Sequence, residues 1–146
     1  MKSWVKLALI IALTTMVGCG EPRREAAFHQ QIRSEIVYFA NEQIPYTGIL
    51  FSQYSNGHMK SECFYKDGKK DGAWKEWDEN DQLMSEAFWK DGREDGIWRQ
   101  WYDNGKPWTE EAYKNGRRDG TYKKWDVDGR LMIEETWKDG NKLPSP

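Results

Sequence analysis

The sequence predicts an all-β fold, an elongated antiparallel β-meander of stacked hairpin repeats, and three observations carry that prediction. Glycine recurs at a step of 24 residues, at Gly48, Gly72, Gly96 and Gly120, again at Gly68, Gly92, Gly116 and Gly140, and at Gly57, Gly105 and Gly129. Aromatic residues keep the same phase, with Leu50, Trp74, Trp98 and Tyr122 in one column and Tyr65, Trp89, Tyr113 and Trp137 in another. Asp67-Gly68, Asp91-Gly92, Asn115-Gly116 and Asp139-Gly140 are strong two-residue hairpin signals, because a type I′ turn needs positive φ at both central positions. A fixed period of this length means stacked supersecondary units.

Before the repeats lies a segment with a different logic. Lys2 and Lys6 precede an apolar run over residues 7–17, too short for an ordinary membrane-spanning helix and suited to the core of a signal peptide. Met16-Val17-Gly18-Cys19 then resembles the lipobox of bacterial lipoproteins, which implies a signal peptide over residues 1–18 and lipidation of Cys19. Met16 stands where leucine is usual, and a plain secretory signal is the other reading. Gly20 follows the cysteine in place of the aspartate that retains such proteins at an inner membrane, so the resemblance implies the outer membrane of a Gram-negative envelope. The chain would be anchored through lipid alone.

Residues 19–33 form a lipidated N-terminus and polar tether, with a short helix around residues 26–32 as its most regular option. Residues 34–40 are β-prone through Ile36, Val37, Tyr38 and Phe39, and are expected to pair with the first unit as a cap. The repeat domain covers residues 34–143, in units of about 48–71, 72–95, 96–119 and 120–143. Each unit reads as strand, turn, strand, turn. Its second strand alternates cleanly, as in Leu83, Ser85, Ala87 and Trp89 against Met84, Glu86, Phe88 and Lys90. The first strand does not, since Trp74 and Trp77 are three apart; either both faces carry aromatics or a bulge rotates one back. Pro144 and Pro146 discourage extension of the sheet at the far end.

Ile44-Pro45-Tyr46-Thr47-Gly48, Tyr54-Ser55-Asn56-Gly57 and Tyr65-Lys66-Asp67-Gly68-Lys69-Lys70-Asp71-Gly72 resemble the MORN-repeat variant of bacterial proteins often described as YwqK-like antitoxins. The pattern recurs from Trp89 to Gly96 and from Tyr113 to Gly120, so the resemblance covers about three-quarters of the chain. It implies scaffolding, membrane association or partner binding, and offers no catalytic residues. A lipid anchor outside the cytoplasm fits poorly with neutralising a cytoplasmic toxin.

Composition narrows the function classes. Removing residues 1–18 takes away Lys2 and Lys6 and no acid, so the 22 basic residues fall to 20 against 24 acidic ones, a formal charge of −4. Bases alternate with acids along every unit, which argues against a nucleic-acid partner. His29 falls in the tether and His58 in a turn, and neither shows a metal-ligand spacing. No nucleophile has a base beside it, and the glycines sit at strand ends rather than in a phosphate-cradling loop, so the sequence calls for no cofactor, metal or enzyme activity. Glu62, Glu86, Glu110 and Glu134 form one column, read as cross-strand partners of neighbouring lysines and arginines rather than catalytic acids. Cys63 is left without an intramolecular partner, in a small-residue slot shared with Ala87, and is expected to be buried and inert.

Trp77, Trp101 and Trp125 form a third aromatic column, Tyr54 is displaced from it by one residue, and Trp108 stands alone in the column of Met84 and Met132. These five aromatics, Tyr54, Trp77, Trp101, Trp108 and Trp125, are the candidate binding surface; packing between units is the competing account of the columns. Two readings follow. The favoured one is a membrane-anchored lipoprotein whose repeats form a non-catalytic protein-interaction module for an envelope or secreted protein, including an antitoxin- or immunity-like role. The alternative is a module that binds cell-wall glycan through its Trp and Tyr columns.

Overall fold

The structure, a computed structural model, describes residues 23–27, 30–33, 36–39 and 42–144, with residues 30–33 described as backbone only. The expected signal peptide over residues 1–18, Cys19, His29 and Ser34 lie outside the described residues. Among those described, eleven strands join in one sheet and two more form a small separate ribbon. In chain order they are β1 (Arg24–Ala26), β2 (Gln30–Arg33), β3 (Ile36–Phe39), β4 (Gly48–Gln53), β5 (Met59–Lys66), β6 (Lys69–Trp77), β7 (Leu83–Lys90), β8 (Arg93–Glu94), β9 (Gly96–Trp101), β10 (Pro107–Lys114), β11 (Arg117–Trp125), β12 (Leu131–Lys138) and β13 (Asn141–Lys142). From β4 onward each strand lies antiparallel beside the one before it; β8 and β9, split at Asp95, both lie against β7. The expected meander is the observed fold.

The turns follow the sequence chemistry. Asp67, Asp91, Asn115 and Asp139 hold φ near +50° and the glycine after each is also positive, which is the type I′ requirement. In the opposite row of turns a single left-handed residue suffices: Gly57, Gly105, Gly129 and, where glycine is missing, Asp81 at φ 64°. Asp78 and Asp126 reinforce these turns by accepting the N–H groups of Gln82 and Arg130, at 2.9 and 2.8 Å.

Two bulges recur in the sheet. The register slips between Glu76 and Trp77, between Lys124 and Trp125, and at the matching points beside Gln53 and Thr109. The extra residue at this step is Met84 of β7, between Leu83 opposite Trp77 and Ser85 opposite Glu76; β6 itself pairs residue for residue from Trp74 to Trp77, so the bulge lies in the neighbouring strand rather than between the two tryptophans. The second bulge falls at the unit glycines: Cys63 faces Trp74 but Tyr65 faces Lys70, so Asp71, Gly72 and Ala73 stand opposite Phe64 alone. Here glycine is needed for space as well as for conformation. A Cβ on Gly96 would lie 2.8 Å from the Cβ of Phe88, and one on Gly120 would lie 2.7 Å from that of Ala112, with φ at +133° and +127°.

The N-terminal residues correct one expectation. Ala26 and residues 30–32, where a short helix was expected, lie in strands: β1 lies parallel to β4, with Arg24 opposite Ile49 and Ala26 opposite Phe51, and β2 pairs with β3. An unpaired edge of β4 offers backbone partners that a free tether would not satisfy. β3 does cap the first unit, but by its end rather than by a ladder. The Val37 N–H donates to the Gly68 carbonyl at 2.9 Å, the Tyr46 N–H to the Val37 carbonyl at 2.8 Å, and the Gly68 N–H to the Tyr46 carbonyl at 2.7 Å. Val37, Tyr46 and Leu50 form the buried core there, with Phe39 and Tyr65 against it.

Candidate interaction surfaces

Register converts the repeat columns into rows running across the sheet. One row reads Glu62, Lys75, Glu86, Arg99, Glu110, Lys123 and Glu134, each residue opposite the next on the neighbouring strand. Arg99 bonds Glu110 at 2.8 Å and lies 3.9 Å from Glu86; Lys75 lies 3.5 Å from Glu86 and Lys123 3.3 Å from Glu134. At the N-terminal end Arg24 takes the free side of Glu62 at 2.8 Å. The glutamate column is therefore a ladder of alternating charge, as its spacing led one to expect, with each acid set against a lysine or arginine of a neighbouring strand.

The opposite face carries rings. Its row reads Leu50, Cys63, Trp74, Ala87, then Trp98, Glu111, Tyr122 and Glu135. Large residues alternate with small ones in the first half and with acids in the second. Trp98 packs edge-on to Trp74 and tilted against Tyr113, with ring centroids 6.1 Å away in both cases. Its indole N–H donates to Ser85 Oγ at 3.1 Å. Cys63 is only 5% exposed, and burial pushes its thiol up to about 11, so it fits the buried, unreactive role assigned to it.

Cations stack on this ring face. Lys70 Nζ lies 4.2 Å from the Trp89 ring centre and 5.6 Å from that of Trp74; Arg118 lies 4.9 Å from Trp137 and 5.2 Å from Tyr122. In the third unit Glu111 Oε2 accepts the Tyr113 hydroxyl at 2.9 Å and Arg118 Nη2 at 2.7 Å. In the fourth, Glu135 accepts the Trp137 indole N–H at 3.1 Å and Lys142 Nζ at 2.7 Å. These hydrogen bonds, led by that of Lys142, hold the Glu135 carboxyl below its usual range. The set was missed in the sequence reading, although the column Cys63, Ala87, Glu111, Glu135 carried the signal.

The five candidate aromatics differ in their settings. Tyr54 is half-buried and its hydroxyl donates to the Trp77 carbonyl at 2.8 Å; Tyr102 does the same for Trp125 at 2.9 Å. Tyr54 is thus a tie between successive units. Trp77, Trp101 and Trp125 are half-buried at the bulges, opposite Leu83, Pro107 and Leu131. Trp108 is the residue added by the bulge in β10; it is 37% exposed and leans on Tyr102, with ring centroids 6.1 Å apart.

Apolar exposure concentrates at the far end of the sheet. Val127, Leu131, Met132, Ile133 and Leu143 are all exposed, Met132 most of them at 63%. Among the described residues β12 is followed by the two-residue strand β13, which covers Trp137 and Lys138. Among the described residues no helix is long and apolar enough to cross a membrane.

Comparison with known proteins agrees with this architecture. The family model described as MORN repeat variant matches residues 46–67, 70–91 and 94–115. No curated protein and no solved structure matches the chain. MORN repeats point to a binding or protein-interaction module, a family that is in general non-catalytic. The stretch 46–115, which holds the alternating charge ladder and the stacked rings of the first three units, is similar to three successive copies of the MORN repeat variant.

Proposed function

We propose that this protein is a lipoprotein of the bacterial outer membrane, anchored through Cys19, whose repeat sheet acts as a non-catalytic interaction module for an envelope or secreted protein. An antitoxin- or immunity-like role is the case in which that partner is harmful. The supporting observation is the unfinished end of the charge ladder. Glu62, Glu86 and Glu110 each face a cation on the following strand, namely Lys75, Arg99 and Lys123. Among the described residues Glu134 meets a cation on one side only, Lys123; its side chain is 53% exposed, and it stands beside exposed Leu131, Met132 and Ile133. An extended partner segment with a lysine or arginine opposite Glu134 continues the ladder, and its backbone satisfies the open edge of β12. A second copy pairing through the same edge sets Glu134 against itself or against an apolar residue, so charge favours a foreign strand.

Site-specific photo-crosslinking from Met132 in intact cells tests this reading. One stoichiometric protein adduct is expected, and Glu134→Lys should abolish it. Adducts that survive Glu134→Lys, or that contain only this chain, overturn the partner assignment. For the anchor, Cys19→Ser should release the protein from the membrane fraction; unchanged fractionation rejects it.

Glycan binding is the second reading, favoured by Trp108, whose exposed ring leans on Tyr102. Titration with cell-wall oligosaccharides should then change tryptophan fluorescence, and Trp108→Ala should remove the response while leaving the circular dichroism unchanged.

A further inference from the structure

The third and fourth units each carry a three-residue constellation that the first two lack in full. In the third and fourth units Glu111 and Glu135 supply a carboxylate to an aromatic donor, Tyr113 or Trp137, and to a cation, Arg118 or Lys142. At the corresponding places the first unit has Cys63, Tyr65 and Lys70, and the second has Ala87, Trp89 and, in the place of the cation, Glu94 opposite Trp89 on β8. A thiol and a methyl group stand where the carboxylates would be.

The donors are nevertheless in place. Lys70 stacks on Trp89 as Arg118 stacks on Trp137, yet its ammonium pairs with no carboxylate among the described residues. The Trp89 indole N–H is buried and has no acceptor among the described residues. A buried donor left unmade is costly in a folded protein, and its counterpart Trp137 is satisfied by Glu135. Tyr65, Lys70 and Trp89 all line one cavity of about 600 Å³, closed at its N-terminal side by Val37 of the cap. Lys69 and Arg93 line it too, so three cations face it against the single carboxylate of Asp91.

We propose that this cavity binds a carboxylate brought by a ligand, in the role that Glu111 and Glu135 fill from within the sheet. The ammonium of Lys70, stacked on the Trp89 ring, is its ion-pair donor, and Arg93 holds a second acidic group at the rim. The chemistry fits a small dicarboxylate or an acidic side chain of a peptide. The site stands apart from the strand edge at Glu134, and its occupancy does not depend on that interface.

The test uses the full chain in detergent, titrated separately with glutarate, tetraglutamate peptide and inorganic phosphate. Binding is followed by the indole ¹H–¹⁵N resonance of Trp89, assigned by its loss in Trp89→Phe. Saturable movement of that resonance is expected with a carboxylate. A response to glutarate identifies a site for small carboxylates; a response to tetraglutamate alone identifies a peptide site. Lys70→Met should weaken binding by about tenfold or more, with Arg93→Gln as the independent check should Lys70→Met fail to fold. Cys63→Glu, which installs the carboxylate found at Glu111, should also suppress binding. A Trp89 resonance indifferent to both carboxylates, affinity unchanged by the cation variants, or preference for phosphate overturns the proposal.

Discussion

Trp98 stands edge-on to Trp74, with ring centroids 6.1 Å apart and ring planes at 77°, although the two occupy the same position of successive units. The same indole touches Tyr113 and donates to Ser85, so one side chain ties the second unit to the third. In a stacked repeat, stability comes from such contacts between neighbours rather than from a single centre. Trp98→Ala should therefore cost about 3 kcal/mol in urea unfolding, and Trp98→Phe about 1 kcal/mol through the lost hydrogen bond. Trp108→Ala, at an exposed bulge, should cost about 1 kcal/mol or less. Equal losses at Trp98 and Trp108 would contradict this division between packing and surface.

A polar tie repeats at the turns. Asp71, Asp95 and Asp119 each accept the backbone N–H of the turn residue in the next unit, Asp91, Asn115 and Asp139, at 3.2, 3.1 and 3.3 Å; Thr47 plays this part for Asp67 at 2.9 Å. Asp95→Ala should lower stability by about 1 kcal/mol and speed hydrogen exchange at the Asn115 amide, while Asp95→Asn, which keeps an acceptor, should lose less. An Asn115 amide unaffected by Asp95→Ala would show that the bond does not hold the turn.

Acid should loosen the C-terminal units. Hydrogen bonds from Lys142 and Trp137 hold Glu135 below the usual carboxylate range, and Lys138 with the Asp139 N–H does the same for Asp119. A carboxyl whose folded pKa is depressed contributes stability that is fully present above its unfolded value, about 4, and is lost as pH falls through the lower folded value. The urea midpoint should thus fall between pH 6 and pH 3. Glu135→Gln should lower the pH 6 midpoint and reduce that fall; an unchanged pH dependence would remove Glu135 from the account.

Cys63 gives the opposite sign. Burial raises its thiol to about 11, so its contribution is complete below the unfolded value near 9 and is lost as pH rises through the folded one. Labelling with a thiol reagent at pH 8 should be about a hundredfold or more slower in the native protein than in urea. Fast native labelling would place the thiol at the surface.

The turn rows were legible because their chemistry is local: an Asx-Gly pair tolerates positive φ whatever surrounds it, and Asp81 shows an acid taking that role where glycine is absent. The glutamate column was legible as a column, but its partners Lys75, Arg99 and Lys123 follow only from register. Tyr54 looked like a surface residue in sequence, whereas its hydroxyl reaches the Trp77 carbonyl on a strand one unit away. Residues 24–26 carry no strand pattern of their own. Their extended state is set by the open edge of β4 and by the neighbouring Arg23, which lies 4.5 Å from the centre of the Phe39 ring.

By itself the sequence determined the period, the fold class, the two rows of turns and the alternation of charge, since each depends on residues close together in the chain. The tertiary structure alone decided where the bulges fall, which columns meet as rows, and how the N-terminal strands close the first unit. Those features depend on hydrogen bonding and packing between units. Among the described residues, the same contacts leave Trp89 without the carboxylate that Trp137 has, and leave Glu134 with a cation on one side only.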